Sequence, residues 1–288
     1  MERGTLRCLF LEMLPHEILL EIVTLASAYS QNTYRSLLLS CRLLCNLTRY
    51  PCLPHVPIRI GAHGLTSFHD SFTSNPSLAQ QVNHLWITGR SEKVANAVAP
   101  CVNLVSLACS SYVLVSLLMT YSLTSPCNNV GLLGPGEIRH RRLRELTLFD
   151  NWDCWSYIAQ ANCGTGLQLC RQITHLRVHD TLAPDFPTKA FPSLTHFSSS
   201  TRPLSIFFTR EMEILSKLER VVEIVNCTYF WKASEPDERT QDLAKNMDNR
   251  VRFLYFGQDE PAEFELWCGR VRGEESIWTR KRRLQMLT

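Results

Sequence analysis

Cysteine is plentiful, yet none of the twelve residues forms a Cys-x-x-Cys pair. A zinc ribbon or a dithiol redox centre needs that compact spacing. A disulfide scaffold would be short and loop-rich, and this chain of 288 residues is neither. Cys41, Cys45 and Cys109 lie in apolar runs and read as small buried thiols in a reducing compartment, cytoplasmic or nuclear. Cys163 and Cys170 flank a Gly-containing turn with no second pair nearby. His175 and His179 are spaced for one strand face but about 13 Å apart, too far to share one zinc. No metal ligand set is assigned, and no cofactor is expected. A metal-dependent enzyme would rest on the Cys and His counts alone, and metal analysis of the purified protein decides it.

A strong charge of either sign is also missing. The net charge is +3 and the pI about 8.3, too mild to indicate nucleic acid as a partner. The basic cluster at 139–144 has no interleaved aromatics for base stacking. The apolar run Tyr112–Met119 is too short to span a bilayer, and Arg7 and Glu12 interrupt the apolar start that a secretory signal would need. No membrane partner is expected. Gly131-Leu-Leu-Gly134-Pro-Gly136 lacks the Lys-Ser/Thr of a phosphate loop, and no Gly-x-Ser-x-Gly elbow is present. No catalytic residue is nominated, and the chain is read as a non-enzyme.

What is there begins at Leu14-Pro15-His16-Glu17-Ile18-Leu19-Leu20-Glu21-Ile22. Pro15 suits a first helical turn, because the N–H it lacks would be unpaired there. Glu17 and Glu21 favour the positive end of the helix dipole. Ile18, Ile22, Leu25 and Tyr29 form one apolar stripe, and Leu19, Val23 and Ala26 a second, so this helix needs burial on two faces. After a break at Ser30-Gln31-Asn32, a second helix is expected from about Thr33 to Tyr50, followed by an extended connector through Pro51, Pro54 and Pro57.

Further on, the pattern apolar-x-x-apolar-x-apolar starts at Val82, Leu104, Leu143, Ile173, Leu194, Val221 and Val251. Successive starts lie 22, 39, 30, 21, 27 and 30 residues apart. Helical candidates between them are Glu92–Val98, Tyr112–Ser122, Trp152–Ala161 and Ile206–Leu218. The widest interval holds the loop Ser125–Gly136. Short strand alternating with helix predicts an α/β fold with parallel strands in an arc. The residues between the apolar positions then form two columns on the open face. One column is His84, Ser106, Glu145, His175, His196, Glu223 and Phe253. The other is Trp86, Ala108, Thr147, Arg177, Ser198, Val225 and Tyr255. Within them His84, Trp86, Glu145, Thr147, His175, Arg177, His196, Phe253 and Tyr255 are the candidate target-binding residues. A plain repeat habit, "Thr-His-Leu", explains part of the same pattern.

The tail reads as paired helices, one from Asp259-Glu260-Pro261 with Phe264, Leu266, Trp267 and Val271, and one from Glu274 to Leu287. Their expected role is to cap the exposed end of the last repeat. Arg280–Arg283 is either a nuclear address or a solvated helix face.

Leu14-Pro15-x-Glu17-Ile18-Leu19-x-x-Ile22, followed by an apolar helix carrying Ser40-Cys41-Arg42, resembles an F-box. The irregular repeats behind it resemble the divergent leucine-rich domains that follow F-boxes, notably in fungal proteins. The resemblance implies that Leu14, Pro15, Ile18, Leu19, Ile22, Cys41 and Arg42 dock the small Skp-family adaptor of a Skp–cullin–F-box ubiquitin ligase. The implied layout is an F-box-like module and connector at 1–54, a leucine-rich-repeat-like domain at 55–258 and capping helices at 259–288. The chain would be the ligase's substrate receptor, holding a target protein on the repeats for ubiquitin-dependent degradation. Ser40 stands where the family usually has valine, and Leu43 and Leu44 stand near its usual tryptophan. These departures keep a second reading open: a repeat scaffold whose degenerate F-box caps its own first repeat and binds no adaptor.

Overall fold

The computed structural model describes residues 14–89, 92–123, 140–150, 155–156, 164–179, 186–199, 217–226, 250–256, 260–274 and 276–279. Three helices open it: α1 (His16–Tyr29), α2 (Gln31–Ser40) and α3 (Arg42–Arg49). Pro15 sits at the start of α1 with φ −52° and ψ 142°, where its missing donor costs nothing. Ser30 is extended, and its Oγ accepts from the Thr33 N–H at 3.0 Å, capping α2. The single second helix expected over 33–50 is in fact two. Cys41 is extended (φ −158°, ψ 167°) and separates α2 from α3. Just before it, the Ser40 hydroxyl donates back to the Ser36 carbonyl at 2.6 Å, a bond that competes with the helical ladder. The Tyr34 hydroxyl then donates to the Arg49 carbonyl at 2.9 Å and ties α2 to the end of α3.

The rest is a mixed α/β structure on one parallel sheet. Its strands are β1 (Ile58–Ile60), β2 (His84–Ile87), β3 (Ser106–Cys109), β4 (Glu145–Leu148), β5 (His175–Val178), β6 (His196–Ser199), β7 (Arg220–Asn226) and β8 (Val251–Phe256). They pair in chain order, each parallel to the next. Between them run α4 (Leu65–Ser74), α5 (Pro76–Ala79), α6 (Glu92–Val98), α7 (Ser111–Leu123) and α8 (Gly164–Gln172). The last described helix is α9 (Glu260–Val271).

The six-residue pattern has a hydrogen-bonding basis. The N–H of its first apolar residue closes a tight turn onto the carbonyl three residues earlier at Val82, Leu104, Leu143, Ile173 and Leu194. That turn stops the preceding segment and aims the next residues into the ladder. Leu85, Ile87, Leu107, Cys109, Leu146, Leu148, Leu176, Val178 and Phe197 then project to one face, all almost inaccessible to solvent. They share one core with Val94, Val98, Val113, Leu114, Leu117 and Leu169 of the helices, and with Leu19, Val23, Leu44 and Leu47 of the N-terminal bundle.

Several expectations need correction. β1 lies ahead of the first expected strand at Val82, in the stretch assigned to the repeats but without a copy of the pattern, and α4, α5 and α8 were not anticipated. Cys170 lies within α8 and is buried; it does not flank a turn. The register also departs from the expected columns at β7. His196 pairs with Arg220 and Ser198 with Val222, while Glu223 pairs with Ser199. Phe253 and Tyr255 pair with Glu223 and Val225, so the ladder places all four in rows out of step with the His84–His196 column. Of the expected second tail helix, Glu274 and Ser276–Thr279 are non-helical, and the rest of its span lies outside the described residues. Trp152–Ala161 and Ile206–Leu218 fall mainly outside the described residues, and Ser125–Gly136 and Arg280–Arg283 wholly outside them. Cys41, Cys45, Cys52, Cys101, Cys109, Cys170 and Cys268 are free thiols, the last five buried.

Candidate functional site

Two surfaces bring candidate residues together. The first is the outer face of α1. Leu14, Ile18, Ile22, Leu25 and Tyr29 are 39–68% exposed, and Leu39 of α2 is 86% exposed. Their spacing along α1 places them on one stripe. Pro15 and Arg42 are also exposed, and Cys41 is half-buried at the α2–α3 break. Leu19 is different. It is 3% exposed and packs into the chain's own core beside Val23. Its adaptor-contact assignment is therefore corrected to a core role, because alternate helical stripes face opposite ways.

The second surface is the sheet face turned away from α4–α8. Here His84, Trp86, Ser106, Ala108, Glu145, Thr147, His175, Arg177, His196 and Ser198 line up across β2–β6, in the expected register. It is not an open face. The helix α9 lies across it, although a cap over the last repeat was expected. Trp267 meets Trp86 edge-on at 5.7 Å, and its indole N–H donates to Ser106 Oγ at 2.8 Å. Phe264 packs on Trp86 at 5.4 Å, with the Arg59 guanidinium over its ring at 5.1 Å. Arg270 donates to Glu145 at 2.9–3.1 Å. Arg177 Nη2 donates to Glu263 Oε1 at 2.9 Å, with 4% and 7% of the two side chains exposed. His179 Nε2 lies against Glu263 Oε2.

Trp86 and Arg177 are thus buried by the chain itself, which overturns their placement as solvent-facing contacts. Arg177 is held on both sides, since it also donates to the Val178 carbonyl at 2.8 Å. Burial works against its charge and the Glu263 carboxylate works for it. At Glu145, burial raises the carboxyl above its ordinary range, partly offset by Arg270.

Beyond α9 the chain turns at Gly273, whose φ of +74° a side chain rarely adopts. This turn brings Trp278 edge-on to both His175 and His196, at 5.4 and 5.6 Å. The two imidazoles stack at 4.2 Å. Each is held by the threonine before it. Thr174 and Thr195 donate to the Arg144 and Thr174 carbonyls of the preceding strands, so their oxygens are left to accept from His175 Nδ1 and His196 Nδ1 at 3.0 and 2.9 Å. The recurrent Thr-His is a cross-strand brace. Burial chiefly, with the neighbouring charges, lowers His175 to about 3 and His84 to about 4. His179 falls to about 2 through burial and Arg177, and His196 shifts down for the same kind of reason, burial first and then Arg220.

Sequence reasoning missed Glu263 and Arg270 as site residues and misplaced Trp267. Their spacing of four and three would have marked one helical stripe carrying both charges and the indole. Among the described residues no cluster of three or more His, Cys, Asp or Glu is arranged to hold a metal ion. No helix among them is long and apolar enough to cross a membrane. Neither the protein-family models nor the curated proteins contain a match to the chain.

Proposed function

We propose that this chain is the target-binding subunit of a Skp–cullin–F-box ubiquitin ligase, with α1–α3 as the F-box and the strands and helices behind as an irregular leucine-rich-repeat domain. The observation that carries the reading is the apolar stripe Leu14–Ile18–Ile22–Leu25–Tyr29, left exposed on a helix whose opposite stripe is already buried. A contiguous apolar patch rimmed by charge is the mark of a protein interface. Glu17 and Glu21 are exposed on the same helix. In this reading the chain does no chemistry and holds no cofactor; it brings a target protein within reach of a conjugating enzyme and gains rate by proximity. The compartment is cytoplasmic or nuclear.

The test is capture of a Skp-family adaptor by the full chain. An Ile18→Asp, Ile22→Asp pair should abolish capture while leaving the melting temperature within 2–3 °C, on the order expected for exposed positions. Failure of the unaltered chain to capture adaptor overturns the reading.

One feature favours a second reading, the repeat scaffold with a degenerate F-box. Leu19, Val23, Leu44 and Leu47 share a core with β1 and β2, as an N-terminal cap would. The two readings separate on the same experiment, because a cap alone binds no adaptor.

A further inference from the structure

We propose that the sheet face of β2–β5 is a receptor groove for an amphipathic helix of defined pattern, and that α9 is its resident occupant. The inference rests on the reading of this face as the target-binding surface and specifies the class of target.

The contacts of α9 are those of a recognition interface. One helical stripe supplies Glu263, Phe264, Trp267 and Arg270, and each is received by a different part of the sheet. Arg177 on β5 takes the carboxylate, Arg59 on β1 and Trp86 on β2 take the phenyl ring, Ser106 on β3 takes the indole N–H, and Glu145 on β4 takes the guanidinium. Trp267 is buried there, and a buried tryptophan is where binding energy concentrates. The two ion pairs have opposite polarity at seven residues' spacing, about 10.5 Å along a helix. They therefore fix the direction as well as the register of whatever lies in the groove.

The platform does not use α9 to fill its main core. That core lies between the opposite face of the sheet and α4–α8. Trp86 and Ala108 form a separate cluster with Trp267, Cys268, Phe264 and Val271. Packing across the groove is incomplete, leaving a cavity of about 40 Å³ bordered by Trp86, Thr147, His179, Leu266 and Trp278, enough for a water or two. A helix seated through two ion pairs and two aromatic rings, on a sheet already backed by its own core, would be exchangeable for another carrying the same groups. The target class is a helix with a carboxylate at position i, an aromatic ring at i+1, an indole at i+4 and an arginine at i+7.

The test uses the full chain with a protease site placed between Phe256 and Glu260, folded and then cut. A fluorescent peptide of residues 260–279 is titrated into it and followed by anisotropy. Cut protein should take up the peptide saturably, and uncut protein at least tenfold more weakly. The peptide bearing Glu263→Ala and Trp267→Ala should lose at least thirtyfold in affinity. In parallel, hydrogen exchange of the unaltered protein should show α9 amides exchanging at least a hundredfold faster than those of β2–β5.

Four results overturn the proposal: folded cut protein that ignores the peptide, equal uptake by cut and uncut protein, unfolding once the severed tail is diluted away, or α9 protection equal to that of the strands. A dimer in which the groove holds a second copy's tail, detected by light scattering, also overturns it, since the occupant would not be resident. No adaptor takes part, so the outcome is independent of adaptor capture.

Discussion

Arg177 and Glu263 carry a sharp energetic asymmetry. Both charges are almost fully withdrawn from water, 2.9 Å apart. Removing one partner strands the other, which costs about 3–5 kcal/mol in buried pairs, whereas replacing both with apolar groups is often close to neutral. Glu263→Leu and Arg177→Met should each therefore lower stability by about that amount, and the two together should recover most of it. Denaturant melts of the two single variants and the pair form the cycle that checks this. Equal losses for the pair and the sum of the singles would contradict the contact. His179, facing the same carboxylate, makes Glu263→Gln a milder change, because the amide still offers an acceptor.

At the scale of elements, the tail is set by one backbone position. Gly273 ends α9 at φ +74° with no atom within 4 Å of where a Cβ would stand. Its carbonyl-side neighbour Glu274 donates its N–H to the Gly269 carbonyl at 2.7 Å, closing the helix. Gly273→Ala meets no clash, so its cost is the left-handed backbone alone, about 1 kcal/mol. The expected sign is a small loss of melting temperature together with a red shift of tryptophan emission, as Trp278 leaves the histidine pair. An unchanged spectrum would show that the turn does not place Trp278.

Elements also differ in how legible they were. The β2–β6 strands were readable because the same turn hydrogen bond and the same apolar alternation recur at each. β1 was not, since Ile58–Ile60 is three residues long and carries no copy of the pattern. β7 was found but mis-registered, because Val221, Val222, Ile224 and Val225 fit the alternation at two offsets, and a one-residue slip exchanges the faces. The destination of α9 was illegible for a different reason. Periodicity shows that a helix has an apolar face; it does not show that Ser106, 161 residues earlier, will receive it. For the candidate site, the exposed and buried stripes of α1 were both visible in the sequence, but which of the two the chain itself buries depends on packing against β1 and β2.

Across the whole molecule, four imidazoles on one sheet face are held neutral. His84, His175, His179 and His196 all have folded pKa values below the ordinary 6.5, with burial the largest cause at each. Below pH 6.5 the unfolded chain binds protons that the folded one refuses, so stability is full above that pH and falls as the solution is acidified toward pH 3. Melting temperature should drop steadily from pH 7 to pH 5. His175→Gln with His196→Gln should flatten the slope, since that pair stacks at 4.2 Å and would otherwise face charge on charge. A profile unchanged by the double substitution would place the acid sensitivity elsewhere.

The return of α9 onto β2–β5 also orders events during synthesis. Strands that pair in chain order can settle as they leave the ribosome, one after another. Arg177 cannot; its carboxylate partner lies 86 residues downstream, about 4–17 s later at ordinary elongation rates. During that interval Trp86 and the Arg177 guanidinium lack the cover that α9 gives them. A chain broken off anywhere before Glu260 therefore leaves this one face uncovered, because its cover is supplied by α9.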